Sequence, residues 1–341
     1  ISVSAFLLNA LPIFDSTDTS NDSIGLVTTG TDIYVIDNPL DNTLALVNQA
    51  SIDRNFVTDD ATKLYTVVYD LGTTGSGEFL IQGATEGENK STIDLDGKTG
   101  FLLSNNTELT LKDVKITGNS TIATVSNENV VINIDNSVID GAITGTATYN
   151  ITTTGTSVLG DVYNANLSNT GSLTLSGNTT ANVENSGTIA NNGLLTRTLT
   201  NNTDASFTSL ANNISGDITN NGNLYLTGGE NANDITGSGT TTFSNTSSNA
   251  GSIGNTVINN GTLTNTGTIS GAVTNNGTLT SAIDNMTSSV TNNNTLYLSG
   301  ALAKTIEGDG TTYVDTTLTI NANGKIDESK MEERRVGKEC R

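Results

Sequence analysis

A seven-residue phrase recurs along this chain: an aliphatic residue, any residue, Asn, then Asn, Ser or Thr, Gly, any residue, and a second aliphatic residue. Eight copies begin at Leu167, Val183, Ile189, Ile218, Val257, Leu263, Val273 and Val290, the last with Asn294 in place of Gly. Short repeats constrain architecture before any local motif does, because one repeat buries its apolar face only against its neighbours. The phrase predicts an all-β fold, a single-stranded parallel β-helix or β-solenoid.

The phrase has a direct physical interpretation. Strand side chains alternate, so we expect Leu263 to point inward while Thr262 and Thr264 point outward. We expect the Gly or Asn at the corner to supply the positive φ that a tight turn needs. The preceding Asn is expected to stack on the Asn of the next coil, about 4.8 Å away, and so build an amide ladder. These predicted corner and ladder residues include Asn220, Gly222, Asn259, Gly261, Asn275 and Gly277.

Coil length follows from the spacing of equivalent positions. The segment 109–116 realigns with the segment 132–139 at an offset of 23, whereas Gly155, Gly171 and Gly187 recur at an offset of 16. Coils of about 16–23 residues are therefore predicted, with turns six positions apart as successive corners of one coil. A hairpin meander is the alternative, but its strands would be too short to be stable. Disorder is disfavoured because the aliphatic spacing is fixed in every copy.

The ends of the sequence differ from its middle. Residues 1–14 are apolar, and we expect either a signal-peptide remnant or a plug for the end of the solenoid. Residues 15–82 carry more charge and bulk and are predicted to form an N-terminal cap, followed by the β-helix over 83–330. Residues 331–341 change composition abruptly and resemble the translation of a sequencing adapter. We therefore expect them to be an artefact and Cys340 to have no functional role.

Composition restricts the classes of function. The 341 residues carry 35 acidic and 14 basic side chains, a formal charge of −21 at pH 7. This charge argues against nucleic-acid partners and against anionic membranes. The chain has no His and a single Cys, which excludes an internal disulfide and a zinc site. We expect no cofactor and no metal.

Part of the chain resembles a known class of surface protein. Residues 91–118, with Ile93-Asp94-Leu95-Asp96-Gly97 and the run from Leu109 to Gly118, are similar to passenger domains of bacterial autotransporters, as are the later Asn-Asn-Gly-Thr-Leu copies. The resemblance covers roughly residues 83–327. It implies a right-handed, pectate-lyase-like parallel β-helix that is exported through the outer membrane by a C-terminal β-barrel. This sequence does not contain that translocator barrel. We expect that the sequence is a fragment of a longer chain and that the barrel belongs to the missing part.

The same fold class includes polysaccharide-degrading enzymes, which need paired carboxylates. The offset of 23 predicts Asp113 beside Asp135 or Asn136. The galacturonase-like pattern requires a His, which the chain does not contain. A lyase requires a basic residue as proton acceptor together with carboxylates, and Arg197 has no acidic cluster beside it. We expect no catalytic residues and no enzymatic activity.

The sequence instead favours a non-enzymatic, surface-exposed passenger or stalk of an autotransporter-like adhesin at the bacterial cell surface. Its expected partners are glycans or proteins of host or neighbouring cells, or further copies of itself. The predicted aromatic contacts are Tyr163, Tyr225, Tyr297 and Tyr313. An extracellular carbohydrate-active or phage-tail-type β-helix is the alternative. Ice binding, through the pairs Thr262/Thr264 and Thr278/Thr280, is a minor one.

Overall fold

The computed structural model describes residues 107–333 except 119 and 303, together with segments 35–38, 43–46, 51–53, 77–82, 91–94 and 101–103. The predicted end segment 1–14, most of the predicted cap and residues 334–341 lie outside the described residues. The described chain is nearly all β, with no α-helix, and its parallel strands stack as a β-solenoid of about 12 turns. The predicted fold class is therefore confirmed. The hand of the coils and the domain bounds stay predictions.

The chain divides into two compact units, residues 1–181 and 182–341. The strands of the first unit follow in chain order. They are β1 (Val35–Asn38), β2 (Thr43–Leu46), β3 (Ser51–Asp53), β4 (Gly77–Gln82), β5 (Ser91–Asp94), β6 (Phe101–Leu103), β7 (Thr107–Lys112), β8 (Val114–Thr117), β9 (Thr121–Val125), β10 (Val131–Asp135), β11 (Val138–Ile139), β12 (Ala142–Gly145), β13 (Tyr149–Thr154), β14 (Thr156–Leu159), β15 (Val162–Asn169), β16 (Ser172–Leu175) and β17 (Thr179–Asn185), within which the division falls.

Parallel pairing orders the first unit. Strands β2, β4, β7, β10, β13 and β15 form one sheet. Strands β3, β5, β8, β11, β14 and β16 form a second. The pairs Leu109–Ile132, Ile132–Ile151 and Ile151–Leu167 show that the offset between coils shortens from 23 through 19 to 16, as the sequence predicts. Strand β1 pairs antiparallel with β2.

The second unit continues with shorter strands. They are β18 (Thr188–Asn191), β19 (Leu199–Asn201), β20 (Ser206–Ser209), β21 (Ile218–Asn220), β22 (Asn223–Leu226), β23 (Gly229–Asn231), β24 (Ile235–Thr236), β25 (Thr240–Phe243), β26 (Thr246–Asn249), β27 (Ser252–Ile253), β28 (Thr256–Asn259), β29 (Thr262–Asn265), β30 (Thr268–Ile269), β31 (Val273–Asn275), β32 (Thr278–Ala282), β33 (Val290–Asn292), β34 (Thr295–Leu302), β35 (Thr305–Ile320) and β36 (Lys325–Glu333). Two 3₁₀ turns, Ala211–Asn213 and Ile283–Asn285, interrupt them.

Three parallel sheets enclose the core of the second unit. The first contains β17, β19, β21, β24, β27 and β30. The second contains β18, β20, β22, β25, β28, β31, β33 and the start of β35. The third contains β23, β26, β29, β32, β34 and the later part of β35, and β36 pairs along β35. The offset between successive coils ranges from 16, as in Leu263–Leu279, to 20, as in Thr305–Lys325.

Each strand contributes one or two inward side chains, because strand residues alternate between faces. One column of the second unit is entirely aliphatic and buried: Val183, Leu199, Ile218, Ile235, Ile253 and Ile269. Removing a buried methylene costs about 1 kcal/mol, so these thin columns stabilise the coils without a wide core.

Among the described residues of the first unit, Tyr149 is the largest fully buried side chain, and its hydroxyl donates a hydrogen bond to the Ile143 carbonyl (3.0 Å). Burial raises the pKa of that hydroxyl above its ordinary value near 10. Since the folded pKa is the higher one, its contribution to stability is complete below about pH 10 and is lost as pH rises through the folded value.

We therefore expect the free energy of unfolding to be independent of this group below about pH 10. Above that pH it should fall by about 1.4 kcal/mol per pH unit because of Tyr149 alone. Urea titrations of the wild type and of Tyr149→Phe between pH 8 and 11 measure this. The variant should be less stable at pH 8 but should lose stability more slowly above pH 10; equal slopes would contradict the assignment.

Candidate functional site

Buried asparagines form amide ladders along the corners of the second unit. In one ladder the amide nitrogen of Asn185 donates to Asn201 Oδ1, and that of Asn201 donates to Asn220 Oδ1, both at 2.8 Å. A second ladder joins Asn259 to Asn275 and Asn275 to Asn292 at 2.7 Å. A third runs from Asn231 through Asn249 and Asn265 to Ser281. The predicted ladder residues Asn220, Asn259 and Asn275 thus lie in such columns.

Each ladder amide also fixes backbone. Asn185 Oδ1 accepts from the Gly187 amide (3.1 Å), and its Nδ2 donates to the Gly187 carbonyl (3.2 Å) and to the Ser206 carbonyl one coil on (2.9 Å). Asn259 makes the corresponding bond to the Thr278 carbonyl (2.9 Å). A buried amide without partners would cost about 1–3 kcal/mol, and these contacts offset that cost while holding adjacent coils in register.

The structure corrects the expected role of the corner glycines. Gly222, Gly261 and Gly277 do not have positive φ. Instead, a Cβ at any of them would lie closer than 3.0 Å to a carbonyl oxygen of the preceding coil. These residues are glycines because the coils approach closely at the corner. Positive φ does occur at Gly155 (56°), one of the recurring turn glycines, and in the same unit at Asp113 (56°) and Asn136 (46°).

The predicted contact tyrosines Tyr163 and Tyr225 belong to different units. In the first unit, Tyr163 is half-buried and its hydroxyl donates to Asp161 Oδ2 (3.2 Å). The charge of Asp161 is the main reason that the pKa of Tyr163 is raised. In the second unit, Tyr225 is 38 % exposed and stands on the second sheet between Thr208 and Thr242.

The other two predicted tyrosines meet on the third sheet of the second unit. Tyr297 and Tyr313 pair in register on adjacent coils, with ring centroids 5.2 Å apart and ring planes at 22°. Both are half-buried. Offset stacking of this kind is worth about 0.5–1.5 kcal/mol beyond the area buried, so each ring restricts the other.

A cleft of about 270 Å³ opens beside Tyr297. Its walls come from three neighbouring strands of the third sheet, β29, β32 and β34, and from the 3₁₀ turn Ile283–Asn285. The lining residues are Thr264, Asn265, Thr266, Thr280, Ser281, Ala282, Asn285, Tyr297, Leu298 and Ser299. The sequence singled out Tyr297 as an aromatic contact, and Thr264 and Thr280 as members of the threonine pairs considered for ice binding. It gave no signal for the other lining residues, because Thr, Ser and Asn are common at every outward position of this chain.

Threonines also align on the third sheet. Register places Thr246, Thr262, Thr278, Thr295 and Thr311 in one column. The neighbouring column begins with Ser248, Thr264 and Thr280 and then changes to Tyr297 and Tyr313. The paired Thr rank on which ice binding was predicted is therefore limited to Thr262/Thr264 and Thr278/Thr280.

The acidic candidates lie in the first unit. The coils place Asp113 next to Asn136, whose Nδ2 donates to Asp113 Oδ1 (2.7 Å), whereas Asp135 lies opposite Lys112. Asp135 Oδ1 accepts from the Thr154 hydroxyl (2.9 Å). One carboxylate oxygen of each residue is therefore engaged in coil-to-coil hydrogen bonding.

Within the described residues, no three His, Cys, Asp or Glu side chains come together as a metal site would require. No helix in that part of the chain has the length and apolar character needed to cross a membrane. Comparisons with protein-family models, with curated proteins and with solved structures found no match for this chain.

Proposed function

We propose that this chain is the stalk or passenger part of an autotransporter-like adhesin, exposed on the bacterial surface and without enzymatic activity. The observation that carries the proposal is the parallel β-solenoid itself, whose outward columns present hydroxyl and amide groups. Its partners would be glycans or proteins of host or neighbouring cells, or further copies of the chain.

The near absence of charge on these surfaces supports a contact role. Between Ile116 and Ala303 the sequence has one basic residue, Arg197, and ten acidic ones. Short-range hydrogen bonding and shape therefore dominate over long-range steering, and the resulting contacts are insensitive to salt. Repetition along the solenoid gives many weak contacts the combined strength that attachment of cells requires.

The ladders support a mechanical role. Coils of the second unit are tied to their neighbours by backbone pairing and by buried amides such as that of Asn275, which bonds to Asn292 Oδ1 (2.7 Å) and to the Thr295 carbonyl (2.8 Å). A spacer that holds its binding surface away from a cell must resist local unfolding, and these contacts between neighbouring coils supply that resistance.

The test is display of the full chain, fused to an outer-membrane anchor, on a non-adherent bacterial strain. Attachment to mammalian cells and settling of the bacteria themselves should each be measured, with protease shaving to verify exposure. We expect one of the two to rise by about tenfold or more, because many copies act together. A displayed, folded chain that changes neither would contradict the proposal.

The carbohydrate-active alternative is tested with the same preparation. Polysaccharides incubated with the purified chain are assayed for new reducing ends and for unsaturated products. Degradation that is lost in Asp113→Asn with Asp135→Asn would replace the adhesin proposal by the enzyme one. Intact polysaccharide supports the non-enzymatic role.

A further inference from the structure

Two segments of the second unit share one local design. Residues 206–229 and 278–301 align without gaps at a constant offset of 72, and ten of their 24 positions are identical, including Tyr225 with Tyr297. Each segment runs from a strand through a 3₁₀ turn to a strand one coil later that carries the Tyr. We name these segments the first module and the second module.

The backbones of the two modules agree closely at the turn. The residue before the turn has φ −68°, ψ 142° at Leu210 and φ −68°, ψ 134° at Ala282. The residue after it has φ −117° at Ile214 and φ −116° at Met286. In both modules the Tyr pairs with a Thr of the preceding coil, Thr208 or Thr280. Differences between the modules therefore reflect side chains on one shared scaffold.

The main difference is the residue that precedes the turn. Leu210 in the first module is 44 % exposed and has its side chain on the surface. Ala282 takes that place in the second module and lines the cleft beside Tyr297. The substitution of a small side chain leaves space on the surface where the first module has an isobutyl group.

The chemistry of the cleft restricts its ligand. None of the described residues that line it is charged. Asn265 donates to Ser281 Oγ (3.0 Å), and Ser281 donates to the Ala282 carbonyl (2.8 Å). The polar side chains of Asn265 and Ser281 therefore already bond within the protein. The hydroxyls of Thr264, Thr280 and Ser299 have no hydrogen-bond partner in the described part of the chain. These three hydroxyls and the ring of Tyr297 line the same cleft.

We propose that this cleft binds one neutral pyranose unit of a glycan, an inference that rests on the proposed adhesive function and names its ligand class. A pyranose presents an apolar face of C–H groups, which packs on an aromatic ring, and an edge of hydroxyls, which matches Thr, Ser and Asn side chains. The cleft is slightly smaller than typical drug-sized pockets, so it accommodates a single sugar ring.

Tyr297 is pre-organised for this contact. Its ring stacks on Tyr313 (5.2 Å between centroids), so little side-chain freedom remains to be lost on binding. A single shallow subsite gives a dissociation constant on the order of millimolar, which suits a multivalent surface. Charged sugars are disfavoured because the described lining residues include no basic group that could pair with a carboxylate.

The experiment uses the purified full chain and saturation-transfer NMR with methyl glycosides of glucose, galactose, mannose and N-acetylglucosamine, and with glucuronic acid as the charged comparison. At least one neutral glycoside should bind. Tyr297→Ala should weaken binding by about tenfold or more, since the variant removes the aromatic face on which the sugar ring packs. Tyr225→Ala is the matched control, an equivalent Tyr outside the cleft, and should bind as the wild type does.

Ala282→Leu is the second variant and keeps both tyrosines. Leu is the residue that the first module carries at this backbone position, so the variant should fold, and its side chain should fill the cleft and abolish binding. Binding that survives in both Tyr297→Ala and Ala282→Leu would overturn the proposal, and so would a preference for glucuronic acid or failure of every neutral glycoside. Cell attachment that persists without saccharide binding would leave the adhesin proposal standing and refute only this one.

Discussion

Gly277→Ala is expected to lower the free energy of unfolding by about 3 kcal/mol, a large effect for the addition of one methyl group. The added Cβ would lie closer than 3.0 Å to the carbonyl oxygen of Gly261, on the preceding coil. Backbone cannot move aside there, because Thr278 donates its amide hydrogen to that same carbonyl (2.8 Å). The coils must separate at this corner, which weakens the pairing on both sides. Urea denaturation followed by circular dichroism measures the change.

Gly254→Ala is the matched control. The nearest atom to a Cβ at Gly254 is the Ile235 carbonyl oxygen at 3.5 Å, an ordinary contact, and this residue does not have positive φ. Because alanine also restricts the unfolded chain, Gly254→Ala should be neutral or stabilising by up to about 1 kcal/mol. If both variants lost stability equally, the close approach of coils would not be the reason for the corner glycines.

The repeat phrase was sufficient to predict the fold class. Its aliphatic positions are the buried columns, and its spacing gives the strand register, as in Leu263 paired with Leu279. For Gly222, Gly261 and Gly277, however, the physical reason predicted from the sequence was wrong, whereas Gly155 has the positive φ that was expected. A tight corner can be built either with positive φ or with close coils, and the pattern Asn-x-Gly is the same in both cases.

The candidate site was less predictable because coil lengths vary. The offset between the two modules is not a whole number of coils, so the first module places Tyr225 on the second sheet and the second module places Tyr297 on the third. The phrase itself occurs at all three corners, between β17 and β18, between β28 and β29, and between β29 and β30. Tyr297 and Tyr313 could be named from the sequence, but their stacking and the cleft depend on accumulated coil lengths.

Asn275→Ala is expected to destabilise the second unit by about 2–4 kcal/mol, the other large effect. The change removes an amide that is fully buried and central in its ladder. It leaves Asn259 Nδ2 without the Oδ1 that it contacts at 2.7 Å, and it removes the side-chain donor that Asn292 Oδ1 and the Thr295 carbonyl share. A small cavity adds to these lost hydrogen bonds, and the variant should also unfold at lower temperature. Thermal and urea denaturation of the purified chain measure both effects.

Asn276→Ala provides the comparison, because the adjacent asparagine belongs to a parallel ladder on the exposed surface. Asn276 Nδ2 donates to Asn260 Oδ1 (3.0 Å), and Asn293 Nδ2 donates to Asn276 Oδ1 (2.8 Å). Water replaces both bonds there, so the expected loss is below about 1 kcal/mol. Both asparagines bond to an asparagine on each adjacent coil. Asn275 is buried and also donates to the Thr295 carbonyl, whereas Asn276 is exposed and its ladder donates in the opposite direction. Equal losses in the two variants would mean that ladder hydrogen bonds themselves, rather than satisfaction of buried amides, stabilise the coils.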